Sequence, residues 1–416
     1  MGNNLNNKQY VTRIFVICFV ILLIIASMNW FINPYGIFHS PEINGFNKLK
    51  TEINTQTRLA KAHQVVTYQP QTIILGSSRA DLGFDPDNSD WEYQPVYNLG
   101  FNGAQVYEMY RYLQHTQNTT HLKSVFLCLD FFLPDNTQQT QPDFDEGRLS
   151  VNSNGTSNHF YYLHDMVNTL LSFDVIKSSI NTVLKQSDAT TFNIDNGLRE
   201  ETGKNYNYRQ MFNAYEKQYL GNDFPGALGS NVMTTQKYDD NDFYYFRQML
   251  KTMYEYYIQS TIIIPPYHAR FKELIYVSGR WSQWEDWKRC LVEINEQEAA
   301  LANKQPFPIW DFSSYNAITS ESVPAINDTN TQMQWFWDGV HFKKELGDLI
   351  LDKVFNKESA NIELPENFGV SLNSANIENY LAQLRLERDE YSETHPEDIM
   401  EIQAEKDFVD NLNRAK

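Results

Sequence analysis

Three hydrophobic patterns succeed one another along the chain. The first runs from Ile14 to Ile32, nineteen residues without a charge, and includes Ile14-Phe15-Val16-Ile17 and Val20-Ile21-Leu22-Leu23-Ile24-Ile25. At about 1.5 Å per residue, a helix of that length just crosses a hydrocarbon core of roughly 30 Å. Lys8 and Arg13 precede the run, no acid appears before Glu42, and Trp30, Asn33 and Pro34 close it. The expected topology is residues 1–13 in the cytoplasm, 14–32 as a transmembrane helix, and the remainder on the periplasmic or extracellular side. A cleaved signal peptide fits less well. The run exceeds a usual apolar signal core, and only Ala26-Ser27-Met28 approaches a small-residue cleavage site.

The second pattern begins after a membrane-proximal linker and helix at 33–70. Short apolar runs at 71–76, 95–98, 124–129, 260–265 and 307–312 alternate with helical periodicity over Gln105 to Gln117, Phe243 to Gln259, Trp284 to Ala302 and Lys343 to Phe355. That alternation predicts an α/β domain over 71–356, with five parallel strands covered on both faces. Trp281, Trp284 and Trp287 recur every third residue, as on a packed helix face. The rhythm breaks at about 134–240, where Asn, Gln, Ser and Thr abound around helical patches such as Tyr161 to Leu184. A structureless loop of that length is improbable in a compact domain, so a helical insertion or small cap is expected. The third pattern is the tail, 357–416. From Glu358 onward it carries fourteen acids against five bases, with periodicity at Ile377, Leu381 and Leu384, and reads as a solvated helix with a frayed end.

Charge and cysteine content narrow the function classes. With 34 Lys plus Arg against 52 Asp plus Glu, net charge is −18. A nucleic-acid partner is therefore not expected, since phosphate binding needs a concentrated basic surface. Cys18, Cys128 and Cys290 are too few and too scattered for a disulfide framework or a zinc site. His159 and His164 fall in the insertion without a ligand-like spacing, so neither a metal nor a cofactor is expected.

The candidate chemistry lies in two motifs more than half the chain apart. Gly76-Ser77-Ser78-Arg79 follows the first apolar strand, Thr72-Ile73-Ile74-Leu75, and so would emerge at its carboxyl end, where open α/β sheets place ligands. Asp338-Gly339-Val340-His341 precedes the last helical stretch of the domain. Together they offer a nucleophile, a base to take its proton, and a carboxylate to orient that base. The competing interpretation is a glycine turn plus a helix-capping aspartate, with His341 on the surface. Asp130 and Asp311 also end strands, and either could orient the histidine instead of Asp338.

On these residues the chain resembles the SGNH (GDSL-like) hydrolase superfamily, over roughly 70–130 and 258–356. The resemblance implies a three-layer α/β/α fold with a five-stranded parallel sheet. Gly76-Ser77-Ser78 stands where that family has Gly-Asp-Ser, which makes Ser78 the nucleophile and puts Ser77 in place of the usual Asp. Asn98-Leu99-Gly100-Phe101-Asn102-Gly103 resembles the family's glycine block, implying an oxyanion hole from the backbone N–H groups of Ser78 and Gly103. Asp338 and His341 match its Asp-x-x-His block. The third block departs: Leu129-Asp130-Phe131-Phe132-Leu133-Pro134 has no asparagine at the matching point, and Asn102 and Asn136 are candidates by proximity alone. Losing one oxyanion donor typically costs ~100- to 1,000-fold in turnover, so either another group substitutes or catalysis is slower.

With the N-terminal anchor, this departure looks more like the membrane-anchored relatives of alginate O-acetylation and teichoic-acid D-alanylation than like secreted lipases. The expected function is an exported serine esterase or O-acyltransferase acting on O-acyl, foremost acetyl, esters of an envelope glycan or other alcohol. A membrane-bound acyl-donor protein is a candidate partner. The alternative is a non-catalytic glycan-binding or assembly protein on the same fold, motivated by the missing asparagine. Candidate substrate contacts are Arg79 and Asn102 beside the motifs, His268 and Arg270 after the fourth strand, for which a loop-rigidifying structural role is the equal alternative, and Trp337 before Asp338.

Overall fold

A computed structural model of the chain describes residues 7–133, 140–187, 192–201, 206–223, 238–239, 241–357 and 362–414. Among them the helices are α1 (Asn7–Ile32), α2 (Thr57–Tyr68), α3 (Ser78–Gly83), α4 (Val106–Thr119), α5 (Tyr161–Leu171), α6 (Phe173–Leu184) and α7 (Tyr208–Gln218). They continue with α8 (Tyr244–Glu255), α9 (Ala269–Val277), α10 (Trp281–Leu301), α11 (Lys344–Val354), α12 (Ile377–Thr394) and α13 (Pro396–Arg414). The strands are β1 (Thr72–Gly76), β2 (Val96–Gly100), β3 (Ser124–Cys128), β4 (Gln259–Ile264), β5 (Ile309–Asp311) and β6 (Val370–Leu372).

The strands form one sheet in the order β2-β1-β3-β4-β5-β6. β1 to β5 pair in parallel, and β6 runs antiparallel to β5 with Leu372 opposite Ile309. Every residue of β1 and β2 is buried, which is what apolar runs without alternation require: both faces are covered. On one face Ile74, Phe126, Cys128 and Ile263 join a core with Phe84, Phe342, Leu346 and Ile350. On the other Ile73, Leu75, Val125, Leu127 and Ile262 are equally buried. Helix α11 packs on α3, while α4, α8, α10 and α12 pack successively on one another.

Two expectations are corrected. The sheet has six strands rather than five, and it is mixed rather than wholly parallel. The added strand comes from the acidic tail, which is no frayed appendage: Ile377, Leu381, Leu384, Tyr391 and Ile402 are buried, and α13 packs on α9 and α7. Several of its acids are ion-pair partners of arginines and lysines elsewhere in the fold, a use that a charge count does not reveal.

By internal contacts the chain forms two compact units, Met1–Thr67 with Pro142–Asp195 and Tyr68–Gln141 with Asn196–Lys416. The stretch expected as one insertion is thus divided between them. In the first unit Tyr35, Ile37, Phe38 and Leu59 cluster with Val175, Met166 and Leu170, and Arg58 pairs with Asp143 at 2.9 Å. Its α1 is long and apolar enough to cross a membrane.

Candidate active site

The turn that carries Ser78 is fixed by close packing. A Cβ on Gly76 would lie 2.6 Å from Ala80 Cβ and 2.9 Å from the Cys128 carbonyl oxygen, so only glycine lets β1 turn directly into α3. Asn98 on the neighbouring strand holds α3 from below. Its Nδ2 donates to the carbonyls of Ala80 and Phe84 at 2.8 and 2.9 Å, and its Oδ1 accepts from the Gly100 N–H at 2.8 Å. Ser77 caps the helix through its hydroxyl, which accepts from the Arg79 N–H at 3.3 Å. Ser78, the first residue of α3, is thereby set at the carboxyl end of the sheet.

His341 is set by a different device. Buried Phe336 and Phe342 form an antiparallel bridge, closed by Trp337 N–H to the His341 carbonyl and Lys343 N–H to the Trp335 carbonyl, both 2.8 Å. The Asp338–His341 turn therefore belongs to a small β-loop ahead of α11. Within it Asp338 Oδ1 accepts from the N–H groups of Val340 and His341 at 2.8 and 3.0 Å, which locks the carboxylate. Its Oδ2 lies 2.8 Å from His341 Nδ1, and His341 Nε2 lies 2.8 Å from Ser78 Oγ. A carboxylate only accepts, so Nδ1 carries the hydrogen and Nε2 is left to accept from the serine hydroxyl. Asp338, His341 and Ser78 are 2, 7 and 9 % exposed, so the relay is nearly dry but open at its serine end.

Arg79 ties the two loops together. Its Nε donates to the Val340 carbonyl at 2.9 Å, its guanidinium pairs with Asp130 at 2.8 Å, and it lies over the Tyr267 ring at 4.6 Å. Burial works most strongly against that charge, but Asp130 together with Tyr267 and Tyr219 outweighs it and holds the arginine firmly protonated. Asp130 is thus bound to Arg79 and Asp311 to Lys288 at 2.6 Å, while His341 has Asp338.

A cavity of about 480 Å³ opens over Ser78, lined by Arg79, Asn102, Gly103, Asp130, Gln141 and Tyr215 among others. Gly103 has φ +64, a left-handed turn that suits glycine. On the other side of His341 a smaller cavity of about 150 Å³ is lined by Asp338, Trp337, Tyr206 and Arg199. Trp337 is partly buried there, with the Lys343 ammonium 4.3 Å from its ring. Another cavity of about 360 Å³ lies at the opposite end of the strands, around Thr72, Ser124 and Gln259, away from this chemistry.

His268 and Arg270 are not brought to these cavities. His268 caps α9: its Nδ1 accepts from the Arg270 N–H, and its Nε2 donates to the Glu321 carbonyl at 2.7 Å. Arg270 is wholly buried against Glu216, Asp398 and Glu401. Asn136 lies outside the described residues. Tyr215 is the residue that sequence reasoning missed. It lies on α7 in the divided stretch, with its ring edge-on to His341 at 5.1 Å. Burial, with the Asp338 charge, pushes its hydroxyl up to about 12, so it remains a hydrogen-bond donor at neutral pH. Nothing local in sequence marks it.

Burial also pushes the His268 imidazole down from 6.5 to about 3. It stays neutral in the fold but takes a proton below pH 6.5 once the chain unfolds. The associated stability is complete above pH 6.5 and is lost as pH falls toward 3, by on the order of a few kcal/mol. Chemical unfolding of the full chain in detergent should show this acid loss. In His268→Asn the fall over that range should be shallower.

Elsewhere among the described residues, Asp145, His164 and Asp165 converge closely enough to hold a cation. Asp145 already accepts from His164 at 2.9 Å and Asp165 pairs with His63 at 2.8 Å. The nineteen-residue separation between Asp145 and His164 hid this group in the sequence. No family model matches the chain, and no curated protein is significantly similar to it in sequence.

Proposed function

We propose that the chain is a membrane-anchored, exported serine esterase or O-acyltransferase of the SGNH (GDSL-like) type. It acts through an acyl-Ser78 intermediate on O-acyl esters, acetyl foremost, of an envelope polysaccharide. The observation that carries this reading is the unbroken relay from Ser78 Oγ through His341 to Asp338, at 2.8 Å in each step, beside an open cavity. Ser78 Oγ attacks the ester carbonyl as its proton passes to His341 Nε2. The resulting imidazolium is stabilised by Asp338, then gives that proton to the departing alcohol as the ester C–O bond breaks. Water or a sugar hydroxyl next attacks the acyl-serine, loses its proton to His341, and releases Ser78.

Negative charge developing on the carbonyl oxygen meets the backbone N–H groups of Ser78 and Gly103. Tyr215, whose side chain lines both this cavity and the neighbouring one and whose hydroxyl stays neutral, is the donor we assign in place of the absent asparagine. Trp337 and Asn102 offer stacking and polar contacts to a sugar, Arg79 holds the two catalytic loops in register, and a membrane-bound protein supplies the acyl donor. Transfer is favoured over hydrolysis, since a domain held at the membrane can keep a polymer over the acyl-enzyme.

Release of p-nitrophenol from p-nitrophenyl acetate by the full chain in detergent tests the chemistry. Activity should vanish in Ser78→Ala and persist in Ser77→Ala; equal rates in all three forms reject the enzyme in favour of a glycan-binding module. Mass spectrometry with an activated acetyl donor and candidate glycans separates transfer, with acetyl on sugar, from hydrolysis, with free acetate alone. A reporter fused after Lys416 should be active only outside the cytoplasm, and cytoplasmic activity would reverse the topology.

A further inference from the structure

In the first unit, α5 and α6 form a hairpin whose outer stripe is apolar and uncovered. Phe160, just before α5, and Leu163, Val167 and Leu171 on it follow one another at three- and four-residue spacing and are each exposed by 41 % or more. Phe173, Ile180 and Leu184 continue the stripe on α6, exposed by 50 to 75 %, and Leu171 and Phe173 make the hairpin's tip. Stripes of this spacing ordinarily face a core, and contiguous exposure of this kind marks an interaction surface.

The place of the tip on α1 says what covers it. Asn29, in the last turns of α1 and inside the apolar run, is fully buried. Its Nδ2 donates to the Leu170 carbonyl at 3.0 Å, and its Oδ1 accepts from the Ser179 hydroxyl at 3.0 Å. The polar group that bilayer contact would penalise is thus satisfied by the hairpin itself. α1 is exposed through Ile24 and half-buried from Ile25, and both α5 and α6 pack on it. From Ile25 to Ile32 is about 10 Å of helix, so the hairpin lies alongside the outermost part of the run rather than beyond it. Trp30, exposed beside Asn29, is the residue type that sits at the headgroup level.

We propose that the α5–α6 hairpin dips tip-first into the outer membrane interface, a second lipid contact beside the anchor. The inference rests on α1 spanning the membrane. Lipid is the occupant because the stripe continues the apolar surface of α1 at the depth of its last turns. Lys177, exposed within the α6 stripe, can extend its ammonium to the headgroups while its stem lies along the apolar face. The contact gives the first unit a second attachment to the bilayer beside the spanning helix on which the hairpin packs.

The test uses the full chain with Cys18→Ser and Cys290→Ser, Cys128 being buried. Single cysteines at Leu171, Phe173, Leu22 and Ser153 carry an environment-sensitive fluorophore in nanodiscs of phosphatidylcholine and phosphatidylglycerol. Probes at 171 and 173 should shift to the blue and be quenched several-fold more by a shallow nitroxide lipid than the probe at Ser153, in an exposed loop. Quenching at Leu22 by a deep nitroxide lipid, with none at 171 and 173, overturns the hairpin contact alone. No quenching at any position overturns the spanning helix as well. Shielding of 171 and 173 in native membranes but not in lipid nanodiscs overturns lipid as the occupant in favour of a membrane protein.

Discussion

Replacing His341 with alanine is expected to lower ester turnover by roughly 10⁴- to 10⁶-fold, with little change in substrate affinity. Among the described residues the imidazole is the group within hydrogen-bond distance of Ser78 Oγ that can take its proton, so its loss leaves a hydroxyl that ionises far too rarely at neutral pH. Asp338→Asn should cost about 10⁴-fold by another route. An amide in place of Oδ2 donates toward Nδ1 and so favours the tautomer with hydrogen on Nε2, which can no longer accept from Ser78. The backbone N–H groups of Val340 and His341 are held by Oδ1, which the asparagine keeps, so the turn should stay in place and the loss should be one of chemistry rather than of fold. Pre-steady-state measurement of p-nitrophenol release resolves these losses into the acylation step. If His341→Ala retains turnover within tenfold of the parent, His341 is not the base.

The largest expected effect on stability lies away from the relay. Arg270 is fully buried, with both Glu216 carboxylate oxygens 2.9 Å from its nitrogens and with Asp398 and Glu401 at 2.6 and 2.8 Å. It joins α7 and α13 to the start of α9. Removing a guanidinium from such a site leaves Glu216, 1 % exposed, as an uncompensated charge in a weakly polarisable interior. Arg270→Met should therefore lower unfolding free energy by about 3–5 kcal/mol. Glu216→Gln combined with Arg270→Met should cost clearly less than the sum of the two single changes, because each leaves a charge that the other removes. Urea unfolding of the four forms measures this, and simple additivity would mean that the pair is not coupled.

What the sequence reveals and what it hides follow from the range of the interactions. Parallel strands buried on both faces announce themselves as short apolar runs, so β1 to β5 fall within about two residues of their expected places. The Ser78 and Asp338/His341 motifs are each local, and the sheet topology brings them together. β6 escaped because it is three residues long and only its Leu372 is buried. The acidic tail looked solvated because charge was counted without partners: Asp398 and Glu401 belong to Arg270 and Arg209. His268 and Arg270 follow a strand end, which suggested the functional rim or a structural role, and the structural role is the one seen: the tail's acids hold Arg270, and the Glu321 carbonyl holds His268. Tyr215 and the pairing of residues 142–195 with the N-terminal segment depend on contacts far apart in the chain, for which no local pattern exists.

Whether Ser78 is an activated nucleophile is read out by labelling with a fluorophosphonate probe followed by peptide mass spectrometry. The relay predicts one modified serine, at position 78, in the full-length protein. Labelling should be abolished in Ser78→Ala, strongly reduced in His341→Ala, and retained in Ser77→Ala. A folded protein that leaves Ser78 unmodified, or that labels equally in the His341 variant, would mean that Ser78 is not activated by His341.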